Sequence, residues 1–187
     1  QLTGVANRQA DNLLIGIFLG STSLGIYSIG YKVYDTATSV ILHSMSSISY
    51  PAFSRVQGNL EKMRRTYYST VIASTAITLP GFTLLMLLSE QLVPAVFGEQ
   101  WRDSGPVLQY LMIAACISSI TYFNSSLLLA LGMAKTNFKL GLLNIGLNIV
   151  AFVIAVRWGI VAVAAAFAIT AIITFPISMH VLKRYAS

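Results

Sequence analysis

Six stretches of this 187-residue chain are each long and apolar enough to cross a lipid bilayer, and the short segments between them hold nearly all of its charge. A spanning helix needs about 20 mostly apolar residues, so six of them use up the chain and leave no room for a soluble domain. Only 10% of the residues are charged, against roughly 25% in soluble domains. Mean hydropathy is +0.73. No strand pattern or low-complexity run competes, and the expected fold class is an all-α integral membrane protein.

The pattern predicts helices at about 2–19, 24–53, 64–89, 106–131, 138–156 and 160–182, forming one six-helix bundle over 1–187. Gly20-Ser21-Thr22 signals the first turn. Pro80-Gly81 predicts a kink inside the third helix, because proline removes a backbone donor and clashes with the preceding turn. The apolar piece Leu92 to Phe97 is left over as too short to span. The chain opens at Gln1 with no basic leader before its first apolar stretch, which suggests a fragment of a longer protein with no signal peptide. Cys116 is the one cysteine and can form no internal disulfide.

Loop charges indicate an orientation, because cytoplasmic loops carry excess Lys and Arg. Arg55, Lys62, Arg64, Arg65, Lys135, Lys139, Lys183 and Arg184 fall on one side, and only Arg102 and Arg157 on the other. Eight against two predicts that both termini are cytoplasmic. The net charge of +6 is thereby explained by insertion topology, and no nucleic-acid partner is expected. Trp101 and Trp158 fall in the outer loops, where amphipathic rings favour the interface.

A charge at mid-bilayer costs at least about 2.5 kcal/mol, so ionisable residues inside spans are functional candidates. Arg8 and Asp11 stand three apart on helix one, and Lys32 and Asp35 three apart on helix two. Each pair shares a face and can neutralise itself. Ser28, Lys32, Asp35, Ser39, His43, Ser46 and Tyr50 recur every three or four residues as one polar stripe on helix two. Such a stripe cannot face lipid; it lines a water-filled cavity or is locked against other helices inside a packed bundle. His43 is a candidate proton carrier, or simply a hydrogen-bonded histidine.

Asn137, Gly141, Asn144 and Asn148 share a side of helix five, and helix four offers Ser118, Thr121, Tyr122, Ser125 and Ser126. Amides and hydroxyls suit sugars, and they also join helices to one another. Ala162, Ala166, Thr170, Thr174 and Ser178 form a small-residue ridge on helix six that reads as a packing surface. No catalytic, metal-binding or phosphate-cradling motif is present, so neither an enzyme nor a cofactor is expected. The candidate cavity residues are Arg8, Asp11, Lys32, Asp35, Ser39, His43 and Asn144.

The run Arg8-Gln-Ala-Asp11-Asn-Leu-Leu-Ile-Gly16-Ile-Phe-Leu-Gly20, followed by Leu24-Gly25-Ile-Tyr27 and Gly30-Tyr31, resembles the opening of the second six-helix lobe of bacterial polysaccharide flippases. Tyr50-Pro51-Ala52-Phe53-Ser54-Arg55 and Phe97-Gly98-Glu-Gln-Trp101 are similar to further marks of that family, which shares a superfamily with the multidrug extrusion proteins. The resemblance covers the first 101 residues; the remainder agrees in helix count. It implies two six-helix lobes around a central cavity, with the N-terminal lobe missing from this chain. It also implies flipping of undecaprenyl-diphosphate-linked oligosaccharide across the bacterial inner membrane. Lys32 and Arg8 are then the candidates for the diphosphate or acidic sugars, and Asp11 and Asp35 for orienting them or carrying a coupling proton. Membrane lipid and the lipid-linked oligosaccharide are the expected partners. Relatives often have a basic residue where this chain has Ile17, which weakens any cationic lining at that level. A cation-coupled multidrug extrusion transporter and a non-transporting subunit scaffolding a polysaccharide synthase are the alternatives.

Overall fold

The computed structural model describes the backbone of residues 2–43, 53–56 and 58–186, and the side chains of most of these from residue 15 onward. The first helical run, Leu2–Thr38, is broken at Gly20 into α1 (2–19) and α2 (21–38). Gly20 has φ 81° and ψ 176°, a region that residues with a Cβ scarcely enter. Gly98 and Gly159 take similar angles at the turns α3–α4 and α6–α7, on the same end of the molecule. Beyond α2 a five-residue π-helical segment, Ser39–His43, continues the chain. Then follow α3 (Leu60–Phe97), a 3-10 turn (Glu99–Trp101), α4 (Ser104–Thr121), α5 (Asn124–Ala130), α6 (Ala134–Ala155), a second 3-10 turn (Val156–Trp158) and α7 (Ile160–Ala186).

Four described segments are long and apolar enough to cross a membrane: Glu61–Phe97, Ser104–Ala130, Ala134–Trp158 and Ile160–Arg184. With α1 and α2 they make an all-α membrane lobe of six helices, in which α4 and α5 act as one span with a break at Tyr122–Phe123. Expected helix four (106–131) did not anticipate that break.

The third helix differs most from expectation. Instead of 64–89 followed by a separate piece at 92–97, one helix of 38 residues runs unbroken through Pro80 and Pro94. Its start is set by Asn59, whose side-chain oxygen accepts the Lys62 N–H at 2.9 Å, an N-cap. Its end is set by Gly98, whose N–H bonds to the Pro94 carbonyl at 3.0 Å. Prolines persist inside membrane helices because neighbouring groups re-satisfy the freed carbonyls. At 1.5 Å per residue α3 is about 57 Å long, well beyond a hydrocarbon core of about 30 Å. It is therefore too long to lie wholly within the hydrocarbon core.

The core is organised around α4, which packs on α3, α7 and the first helical run. Val107, Leu108, Leu111, Met112, Ala114 and Ala115 are fully buried along it. Ile15, Tyr27, Leu111, Phe152 and Val163 join α1, α2, α4, α6 and α7 in one cluster. Phe53, Met63, Tyr67, Phe123, Leu127 and Leu182 form a second at the basic end. The Ser104 hydroxyl donates to the Ile26 carbonyl at 2.8 Å and ties the start of α4 to α2.

Candidate functional site

Which way α2 faces is decided by its aromatic side. Tyr27, Tyr31 and Tyr34 recur at four- and three-residue spacing, so they share one face of a helix. Tyr27 stacks on Tyr31 with centroids 5.8 Å apart, and Tyr31 meets Tyr34 at 5.4 Å. Tyr34 meets Phe167 of α7 edge-to-face at 5.8 Å, and Phe167 meets Phe152 of α6 at 6.3 Å. Edge-to-face and offset pairs at these distances are favourable beyond their buried area. Ile29, Val33 and Ala37 pack beside this ladder against the α3–α4 cluster. The apolar face of α2 is thus anchored in the lobe.

The polar stripe lies on the other side. Ser28, Lys32, Asp35 and Thr36 are exposed and Ser39 is half-buried. Lys32 sits eleven residues into α2, about 17 Å along its axis. Thr38 donates to the Tyr34 carbonyl at 2.7 Å and Ser39 to the Thr36 carbonyl at 3.0 Å. Those hydroxyls serve the local backbone; the reach of the stripe comes from the Lys32 and Asp35 side chains. Their charges sum to zero, and at i and i+3 they occupy one face. Ser39 also opens the π-helical segment, a geometry found often at functional positions.

Lys32 and Asp35 are thus exposed, and Ser39 half-buried, on one face of the lobe. The side chains of Arg8, Asp11 and His43, and residues Ser46 and Tyr50, lie outside the described residues. Asn144 is placed differently: it is half-buried, and its carbonyl and side-chain oxygens accept from Asn148 Nδ2 at 3.1 and 2.9 Å. Asn148 is 2% exposed and its Oδ1 accepts the Thr170 hydroxyl at 2.5 Å. These amides join α6 to α7. Ala166 and Thr170 of the α7 ridge are buried, and Thr174 and Ser178 bond back to carbonyls one turn earlier.

Two features escaped the reading of the sequence. The tyrosine ladder was visible as spacing, yet only its contacts with Phe167 show that it sets the rotation of α2. Tyr67 Oη donates to Asn124 Oδ1 at 2.5 Å in a buried bond between α3 and α5, a pairing 57 residues apart with no local signal. Among the described residues no three His, Cys, Asp or Glu side chains gather as a metal site.

Residues 1–106 match the model of a family described as "Polysaccharide biosynthesis protein". The chain is 29% identical over 177 residues to the lipopolysaccharide biosynthesis protein WzxC of Escherichia coli (strain K12), covering 94% of this chain and 36% of that protein. It is 23% identical over 180 residues to a Haloferax volcanii protein named "Probable low-salt glycan biosynthesis flippase", covering 95% and 38%. Its fold is similar to that in a crystal structure of a MATE mutant, with a TM-score of 0.84 at 15% identity, over 99% of this chain and 44% of that one. The chain thus spans little more than a third of these curated relatives and under half of the solved MATE chain.

Proposed function

We propose that this chain, which belongs to the polysaccharide biosynthesis protein family, is one lobe of a transporter that flips undecaprenyl-diphosphate-linked oligosaccharides across the bacterial inner membrane. The observation that carries the proposal is the orientation of α2. Its apolar face is fixed in the lobe by Tyr27, Tyr31 and Tyr34, while Lys32 and Asp35 stand exposed well inside a helix that we read as crossing the membrane. Charged groups at that depth need water or another protein surface. A second lobe facing this one would enclose the stripe in a hydrated cavity, and coverage of 36 to 44% of the longer relatives leaves length for such a lobe.

In this reading the glycan travels in the hydrated cavity while the lipid tail stays in the bilayer. The Lys32 ammonium attracts the diphosphate or acidic sugars as a compact point charge. Asp35, one turn along, holds the cation when substrate is absent. Ser39 supplies polar wall at the π-helical segment. Arg8, Asp11 and His43 extend the same proposal by sequence position; Asn144, engaged with Asn148, is left to helix packing. Both ends of the segment lie on the cytoplasmic side, where eight of the ten loop cations gather. The protein moves its substrate without chemical change.

The test is polysaccharide export in cells carrying the full-length protein with Lys32→Met, Asp35→Leu or both. Because both side chains are exposed, all three variants should express and insert at wild-type levels. Export should fall at least about tenfold for Lys32→Met and should not return in the double variant. Full export by a well-expressed double variant would remove Lys32 from the substrate path. Export of a cationic dye in place of polysaccharide would move the protein to the multidrug class.

A further inference from the structure

We infer that the basic end of the lobe is a binding surface for the headgroups of anionic phospholipids, separate from the α2 stripe. Loop cations need only be numerous to orient a membrane protein. Here they also converge. Met63, Leu182 and Ala130 are buried in one cluster with Met133 and Leu140 against it, which gathers the start of α3, the α5–α6 turn and the end of α7. The seven cations of these segments, and Arg55 as an eighth, are all exposed. Within 53–69, 131–140 and 180–184 the single acid is Glu61.

The position of α3 sets their depth. Beyond Tyr68 its exposed large apolar residues begin at Ile72 and run to Val96, about 36 Å of axis, enough to cross the hydrocarbon core. Lys62, Arg64, Arg65 and Tyr68 lie just beyond it and are exposed. The Arg64 guanidinium sits over the Tyr68 ring, 5.8 Å from its centroid, and Tyr67 meets Tyr68 edge-on at 5.6 Å. A tyrosine at this level keeps its ring at the interface and holds a cation above it. A guanidinium so held offers paired donors to a phosphate. The inner leaflet is where anionic headgroups meet basic segments. This inference stands whether or not the lobe moves glycans.

The experiment uses the full-length protein in neutral detergent, titrated with phosphatidylglycerol or phosphatidylcholine, with bound lipid read by native mass spectrometry and stability by thermal unfolding. Phosphatidylglycerol should be retained and raise the unfolding temperature; phosphatidylcholine should do neither. At about fivefold per charge, the combined Lys62→Gln, Arg64→Gln and Arg65→Gln variant should bind on the order of 100-fold more weakly. Arg102→Gln, at the opposite end, should bind as wild type. Wild-type affinity in the triple variant overturns the inference, as does equal retention of phosphatidylcholine. Inorganic phosphate or polyglutamate stabilising as well as phosphatidylglycerol would transfer the surface to a soluble anion or an acidic protein. If the triple variant fails to fold, the salt dependence of the wild type decides, since affinity unchanged between about 0.05 and 0.5 M salt contradicts an electrostatic site.

Discussion

Trp101 lies across Gly25: a Cβ built on Gly25 would stand 3.4 Å from Cζ3 and 3.5 Å from Cη2 of the indole. The chain turns at Gly98, winds through one 3-10 turn and lays the indole over the start of α2. Trp101 is half-buried, whereas Trp158 is 71% exposed. Of the two loop tryptophans, both expected at the interface, Trp101 is also a packing residue that positions the helix bearing the stripe. A methyl at Gly25 meets the ring at ordinary contact distance, so the further methyls of a branched side chain would press on it. Gly25→Ala should leave the unfolding temperature of the full-length protein nearly unchanged. Gly25→Val should lower stability by about 1–3 kcal/mol. Thermal unfolding in detergent with tryptophan fluorescence checks both; equal stability of the two variants contradicts the close approach.

Asn148 and Thr170 should be energetically coupled. Their bond joins α6 to α7, and Asn148 also donates to Asn144 on its own helix. Interhelical hydrogen bonds in membranes average about 0.6 kcal/mol and reach about 1.7. A double-mutant cycle on Asn148→Ala and Thr170→Val should give a coupling energy in that range. Export should survive in each variant that folds, because neither side chain lies on the stripe. Zero coupling would mean that the bond contributes nothing to helix association.

How far the site was legible follows from the same residues. The stripe on α2 is periodic and local, so Ser28, Lys32, Asp35 and Ser39 announce a shared face from spacing alone. Whether that face is covered depends on α4 and α7, more than 60 residues away, through contacts such as Ser104 to Ile26 and Tyr34 to Phe167. Asn144 shows the same dependence: an amide on a helix face reads alike whether it meets a sugar or, as the bond to Asn148 has it, the amide one turn on. The extent of α3 was obscured by Pro80 and Pro94, which break helices in water more readily than in a bilayer. The ε-region turn at Gly20 was legible as a Gly-Ser-Thr run because the backbone there excludes side chains.

Tyr67→Phe should destabilise the lobe without touching the stripe. The phenol is 5% exposed in relative terms and donates to Asn124 Oδ1. Removing it leaves a buried amide oxygen without that donor, a loss of about 1–3 kcal/mol. Asn124→Leu alone strands the phenol in turn, while Tyr67→Phe with Asn124→Leu removes both polar partners and should recover part of the loss. Thermal unfolding of the three variants is the measurement. A double variant less stable than either single one would show that the pair is not an isolated unit.

Water access along α2 should alternate with its two faces. With Cys116 replaced by Ala, single cysteines at Ser28, Lys32 and Ser39 place thiols on the exposed stripe, and cysteines at Ile29 and Val33 place them on the packed side. Labelling by a membrane-impermeant maleimide in the full-length protein should mark the first set and leave the second unmarked. Within the first set, a lobe that opens alternately to the two sides should shift reactivity when lipid-linked substrate accumulates. A scaffold subunit, with its stripe pressed dry against a partner, should leave all five positions unlabelled in every condition. Leu84, 58% exposed on the apolar side of α3, is the control that separates exposure to lipid from exposure to water. Labelling at Leu84→Cys as strong as at Ser39→Cys would mean that the probe reads exposed surface of any kind. The hydrated-cavity reading of Lys32 and Asp35 would then lose its support.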